Sequence, residues 1–151
     1  MRPAATIVSL DDPERVAEWV RQRVPHVPDW GPCAVIGVMR GEELLAGVVY
    51  NNYRWPSIEA SIASASPEWC SRRNLAAIFA YPFITLKCRR LGAMTEDASL
   101  GVIAFLRRLG FREEGVLRDA LPSGSARLFG MTPGECRWLP QLRMTENEEC
   151  Q

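Results

Sequence analysis

The stretch that most constrains how this chain can fold is Tyr81 to Asp119, YPFITLKCRRLGAMTEDASLGVIAFLRRLGFREEGVLRD. Read by period, it is the end of one helix, a short strand, a second amphipathic helix and the start of another strand. Ala98 to Leu109 carries the second helix, with Leu100, Ile103, Ala104 and Leu106 at helical spacing and Arg107 and Arg108 on a polar side. Gly110 falls where a left-handed C-terminal cap is expected, and Phe111 can pack back onto the last turn. Gly115, between Glu114 and Val116, suits a bulge or a close backbone approach.

The rest of the chain supplies what this stretch packs against. Ala4 to Leu10 reads as a strand. Asp12 and Pro13 then open a helix as N-cap and first helical residue, and it runs to about Val24 with Val16, Trp19 and Val20 inward. The proline-rich run Pro25 to Pro32 is a loop. Cys33 to Met39 and Glu43 to Asn51 are apolar strands joined at Arg40-Gly41-Glu42. Asn52 to Pro56 turns the chain. Ser57 to Ser64 alternates, with Ile58, Ala60 and Ile62 on one face and Glu59 on the other. A helix from about Arg72 buries Leu75, Ile78, Phe79, Phe83 and Leu86, and Pro82 kinks its last turn. Beyond the central stretch, Pro122-Ser123-Gly124 turns into a strand over Ser125 to Met131. Thr132-Pro133-Gly134-Glu135 matches a capping box. The order is strand, helix, three strands, helix, strand, helix, two strands. It predicts an α/β (α+β) protein with one mixed, mostly antiparallel central sheet and helices on both faces.

Length and charge narrow the function. The 151 residues are expected to form one domain over 1–143, with a frayed polar tail at 144–151. Lys and Arg together number 18, as do Asp and Glu, so no global field draws the protein to nucleic acid or to an acidic membrane. The apolar run Asn74 to Leu86 is too short to span a bilayer, and Met1 to Leu10 lacks the apolar core of a signal peptide. Cys33, Cys70, Cys88, Cys136 and Cys150 are odd in number and contain no C-x-x-C, which points to reduced thiols in the cytoplasm. With His26 the only histidine, no metal site is expected.

The ordered set Tyr81-Pro82-Phe83, Leu86 to Arg90, Ser99, Leu109-Gly110-Phe111 and Glu114-Gly115 to Arg118 resembles the GNAT superfamily of acyl-CoA-dependent N-acyltransferases. The closest likeness is to its ribosomal-protein-acetylase-like branch with phage and prophage relatives. The resemblance implies an acetyl-CoA-dependent N-acetyltransferase in which an acceptor amine attacks the thioester directly, and by family habit a homodimer. It implies that the strand Ile62, Ala63, Ser64 and Ala65 binds the pantetheine arm. It also implies that Trp69, Cys70, Ser71, Arg72, Arg73 and Asn74, at the start of a helix, hold the pyrophosphate of CoA on backbone N–H groups. Family members usually have glycine in that loop. This chain has none, with Trp69 at the expected glycine position, and Arg72 and Arg73 are the residues that can compensate. Ser99 stands where an Asn usually opens the second helix, as cap or cofactor contact, and Phe105 belongs to the same cofactor set.

Glu59 is the candidate general base, with partial burial expected to tune it. The usual thiolate-protonating positions are Leu106 and Val102, both apolar, so Tyr50, Tyr53 or water is left to serve. Cys70 lacks a neighbouring histidine and reads as an incidental thiol. Trp30 and His26 either line the acceptor site or simply close the core edge. Glu114 and Arg118 read as a local ion pair. The rival functions are a degenerate, non-catalytic GNAT-fold binding protein and a phage-type nucleic-acid-modifying relative; zero net charge disfavours the latter. The acceptor stays open among a protein N-terminus, lysine, a polyamine, an antibiotic and a nucleobase amine.

Overall fold

The computed structural model describes residues 5–24, 27 and 29–140. His26 and the tail at 144–151 lie outside these. The elements follow the predicted order: β1 (Ile7–Ser9), α1 (Pro13–Arg21), β2 (Cys33–Arg40), β3 (Glu43–Arg54), β4 (Ser57–Ser64), α2 (Arg72–Ala80), β5 (Arg90–Glu96), α3 (Leu100–Leu109), β6 (Arg112–Leu121) and β7 (Gly124–Met131). The chain divides into two compact units. One is Met1–Tyr53 with Glu59–Ile78, and the other is Arg54–Ile58 with Phe79–Gln151.

In the first unit β1, β2 and β3 lie side by side and antiparallel, and β4 follows β3 in the sheet. Asp12 caps α1 with its carboxylate accepting from the Arg15 N–H, and Pro13 occupies the first turn. The helix stops at Arg21, short of the expected Val24. It sits on a seat made by two glycines directly opposed in the ladder, Gly37 and Gly47. A Cβ on Gly47 would stand 2.6 Å from Val20 Cγ2, and one on Gly37 would stand 3.1 Å from Val16 Cγ2. Val16, Val20, Trp30, Val35, Leu44, Val49 and Ala63 form the resulting core. Trp30 belongs to this core, its indole N–H donating to the Ala17 carbonyl at 2.9 Å.

Strand alternation places α2 on the other face of β3. Gly47 and Val49 point toward α1, so Tyr50 points away from it. The Tyr50 hydroxyl donates to the Ile78 carbonyl of α2 at 2.5 Å. After Ala80 the helix widens into a π-type turn over Tyr81–Thr85, closed by the Leu86 N–H on the Tyr81 carbonyl. This is the disturbance expected of Pro82, which has no N–H to offer.

In the second unit β7 lies between β5 and β6, antiparallel to both, so β5 and β6 run the same way and α3 makes the crossover. Gly110, at φ 115°, caps α3, and the Phe111 N–H returns to the Leu106 carbonyl at 3.0 Å. Phe111 is buried, with its ring 6.2 Å from that of Phe79. The buried stripe of α3 is Ile103, Leu106 and Leu109. Leu100 is 71% exposed and Ala104 is also exposed, because the helix starts two residues later than predicted and the stripe follows i, i+3 steps toward the capped end. The ladder shifts register between Glu113 and Gly115, the bulge that Gly115 suggested. Glu114 pairs with Arg90 rather than with Arg118, and the two side chains close over Gly130, where any Cβ would strike both. Thr132 and Glu135 form the expected capping box, Glu135 accepting from the Thr132 N–H at 3.0 Å. Burial works to raise the Glu135 pKa, but the Thr132 N–H and hydroxyl and the Arg112 guanidinium outweigh it and hold the carboxyl below its usual range.

Candidate active site

The residues expected to hold pyrophosphate, Trp69 to Asn74, lie together between the end of β4 and the start of α2. Two serines organise this loop. Ser66 accepts from the Glu68 N–H at 3.3 Å and starts a single 3₁₀ turn over Pro67–Trp69. Ser71 accepts from the Asn74 N–H at 3.1 Å and so caps α2. Asn74 is buried and holds the loop from within, its amide donating to the Trp69 carbonyl at 2.8 Å and to Thr6 Oγ1 at 3.0 Å. It is therefore a structural tie for the loop. Trp69 is 2% exposed, so its indole is folded inward and does not cover the helix start. A buried anchor thus occupies the position where the family pattern has glycine.

What faces outward is Ser71, Arg72 and Arg73, all exposed, while Cys70 is half-buried. The acid of the loop, Glu68, is engaged by Arg40 in an ion pair. The first-turn amides of α2 and its dipole favour an anion here, and the side chains around them carry excess positive charge. This donor set fits a phosphate-bearing group. Of the residues expected to bind the pantetheine arm, Ala63 is buried, Ile62 is half-buried, and Ser64 and Ala65 are exposed. The Ala65 N–H is taken by the Leu45 carbonyl at 2.8 Å. The alternation of β4 holds through Ala60 and is lost beyond it, where Ser61 and Ile62 are both half-buried.

Glu59 is exposed, where partial burial was expected. Asn52 Nδ2 donates to its Oε2 at 2.7 Å and fixes the carboxylate. Asn52 was legible in the sequence only as a turn residue, because a cross-strand partner depends on register. Tyr50 is 1% exposed and its hydroxyl is committed to Ile78, so the structure places the expected proton donor in the core. In the second unit Ser99 precedes α3 but makes no side-chain cap, since its φ −84°, ψ 71° departs from the extended geometry of an N-cap. Phe105 is half-buried on the same helix; Val102 is exposed and Leu106 buried.

Cys33, Cys70, Cys88 and Cys136 are thiols, outside any disulfide. Burial pushes the Cys88 thiol up; at Cys33, whose residue lies exposed at the start of β2, partial desolvation of the sulfur and then the Asp29 carboxylate act in the same direction. Among the described residues no cluster of His, Cys, Asp or Glu is placed to hold a metal ion. No described helix is long and apolar enough to cross a membrane.

Solved structures that share this chain path include acetyltransferases. Mycobacterium smegmatis RimJ, in complex with CoA-disulfide, superposes with a TM-score of 0.63 at 17% identity, covering 86% of this chain and 83% of its own. The ribosomal-protein-S5-alanine acetyltransferase of Vibrio fischeri gives 0.67 at 13% identity, over 87% and 95%. Dodecameric spermidine N-acetyltransferase from Vibrio cholerae gives 0.69 at 12% identity, over 86% and 95%. The fold is the GNAT acetyltransferase fold. No protein-family model matches the chain, and no curated protein matches its sequence. At these identities the likeness establishes the GNAT fold, and the chemistry has to be argued from this chain's own residues.

Proposed function

We propose that the chain is an acetyl-CoA-dependent N-acetyltransferase. The observation that carries this reading is the start of α2, where a Ser71-capped helix end carries the exposed Arg72 and Arg73, on a fold shared with a CoA-bound acetyltransferase. Acetyl-CoA supplies the activated acyl group. Arg72 and Arg73 contact its phosphates, taking the part that glycine backbone plays elsewhere, and the exposed segment at Ser64 lies along the pantetheine arm. Glu59, held by Asn52, takes the proton of the acceptor ammonium so that the free amine attacks the thioester carbonyl, and the thiolate leaves. The same reading takes residues 1–143 as one cytoplasmic domain working as a homodimer on a peptide or small-molecule amine.

The test is calorimetric titration of acetyl-CoA into the protein and into Arg72→Ala/Arg73→Ala. Micromolar binding that weakens at least about tenfold in the double variant supports the reading, since two charge-assisted contacts are lost. A thiol-release assay then screens an alanine-first peptide and spermidine, with Glu59→Gln as the control for proton abstraction. A second reading, a GNAT-fold binding protein without activity, is favoured by the burial of Tyr50 and by the apolar residues Val102 and Leu106. Tight acetyl-CoA binding with no turnover across the amine panel would select it.

A further inference from the structure

We propose that the turn between β3 and β4 and the segment entering β5 form a docking surface for single-stranded nucleic acid. Trp55 stands at the tip of that turn with its side chain 56% exposed. It is held in place nonetheless. Its indole N–H donates to the Lys87 carbonyl at 3.3 Å, and the Arg89 guanidinium lies over the ring at 5.1 Å from the centroid. The backbone beneath is pinned as well, because the Pro56 carbonyl accepts from the N–H groups of Arg89 at 2.8 Å and Arg90 at 3.1 Å. A large aromatic plane is thus presented to solvent on a rigid base.

The charge on these two segments is of one sign, and the next acid along the chain, Glu59, is held by Asn52. Arg54, Lys87 and Arg89 are all exposed, and neither 54–58 nor 84–90 contains an acid. The fourth cation, Arg90, is neutralised by Glu114. Among the described residues the other three form no ion pair. In a chain of zero net charge these two segments together carry three positive charges and one exposed ring. A matching ligand needs planar rings free to stack and negative charge repeated along a flexible backbone. Single-stranded nucleic acid offers both, whereas a duplex hides its rings and an acidic peptide has only the charge.

The test is fluorescence anisotropy of labelled oligo-dT and oligo-U of about a dozen nucleotides, a length within the usual range for such sites, titrated with the full chain at low salt. Binding is expected with a slope of log affinity on log salt of about −2, from three phosphate contacts on a single strand. Trp55→Ala should weaken it about tenfold, the loss of one stacked base, while Trp55→Phe retains most of it. Arg54→Glu/Arg89→Glu should abolish it. Arg72→Ala/Arg73→Ala and saturating acetyl-CoA should leave it unchanged, which separates this surface from the site at α2. Thermal melts of every variant establish that it is folded. Absence of binding to both oligonucleotides overturns the proposal. So does Trp55-independent binding displaced equally by polyglutamate, which would make the surface a docking site for acidic protein.

Discussion

Pro82 has no N–H, so the carbonyl four residues earlier, on Ile78, loses its helical donor. Tyr50 supplies the replacement from β3 with its hydroxyl. Tyr50→Phe should therefore lower unfolding free energy by about 1–3 kcal/mol, the cost of stranding a buried acceptor. Denaturant titration measures it, and Pro82→Ala, which restores the N–H, should shrink the loss. Unchanged stability with lost activity would instead return Tyr50 to the role of proton donor. Residue identity alone could not separate these roles. A tyrosine late in an apolar strand reads the same whether its hydroxyl meets a thiolate or a carbonyl. Glu59 illustrates the same limit, since its exposure and its Asn52 partner both follow from the pairing of two strands.

At the scale of elements, the sequence signals that worked were those whose physics is local. Asp12-Pro13, Leu109-Gly110-Phe111, Gly115 and Thr132 to Glu135 each produced the cap or bulge expected of them. The glycine pair Gly37 and Gly47 was invisible as a pair, because residues ten apart become neighbours only through the β2–β3 register. Their function is to let α1 lie close on the sheet. Gly47→Ala should cost about 1–3 kcal/mol by overpacking against Val20. Thermal unfolding reads this, and adding Val20→Ala should recover part of the loss. A neutral Gly47→Ala would mean that α1 shifts freely on its seat. The α2 loop teaches a related lesson. Its lack of glycine looked like a defect for phosphate binding, yet the bulky Trp69 is turned inward and Asn74 ties the loop down, so the helix start stays uncovered.

Across the whole molecule, a ligand that binds only the folded state must raise its stability. Acetyl-CoA at a hundred times its Kd should add about 2.7 kcal/mol, read as a rise in melting temperature that Arg72→Ala/Arg73→Ala reduces. No rise at millimolar ligand would remove acetyl-CoA from the reading. Charge belongs to this scale too. The balance of 18 against 18 argued against nucleic acid, but composition averages over the surface and cannot register that the exposed Arg54, Lys87 and Arg89 fall on the two segments that hold Trp55. By itself the sequence determined the order of elements, most of their ends and the resemblance to the GNAT superfamily, because hydrophobic period, caps and turn residues act within a few positions of the chain. Only the tertiary structure decided which side of a strand meets a helix, that Glu114 pairs with Arg90, that Tyr50 and Asn74 are structural, and where charge collects. Those outcomes rest on contacts between residues far apart in the chain, which strand register and helix packing bring together.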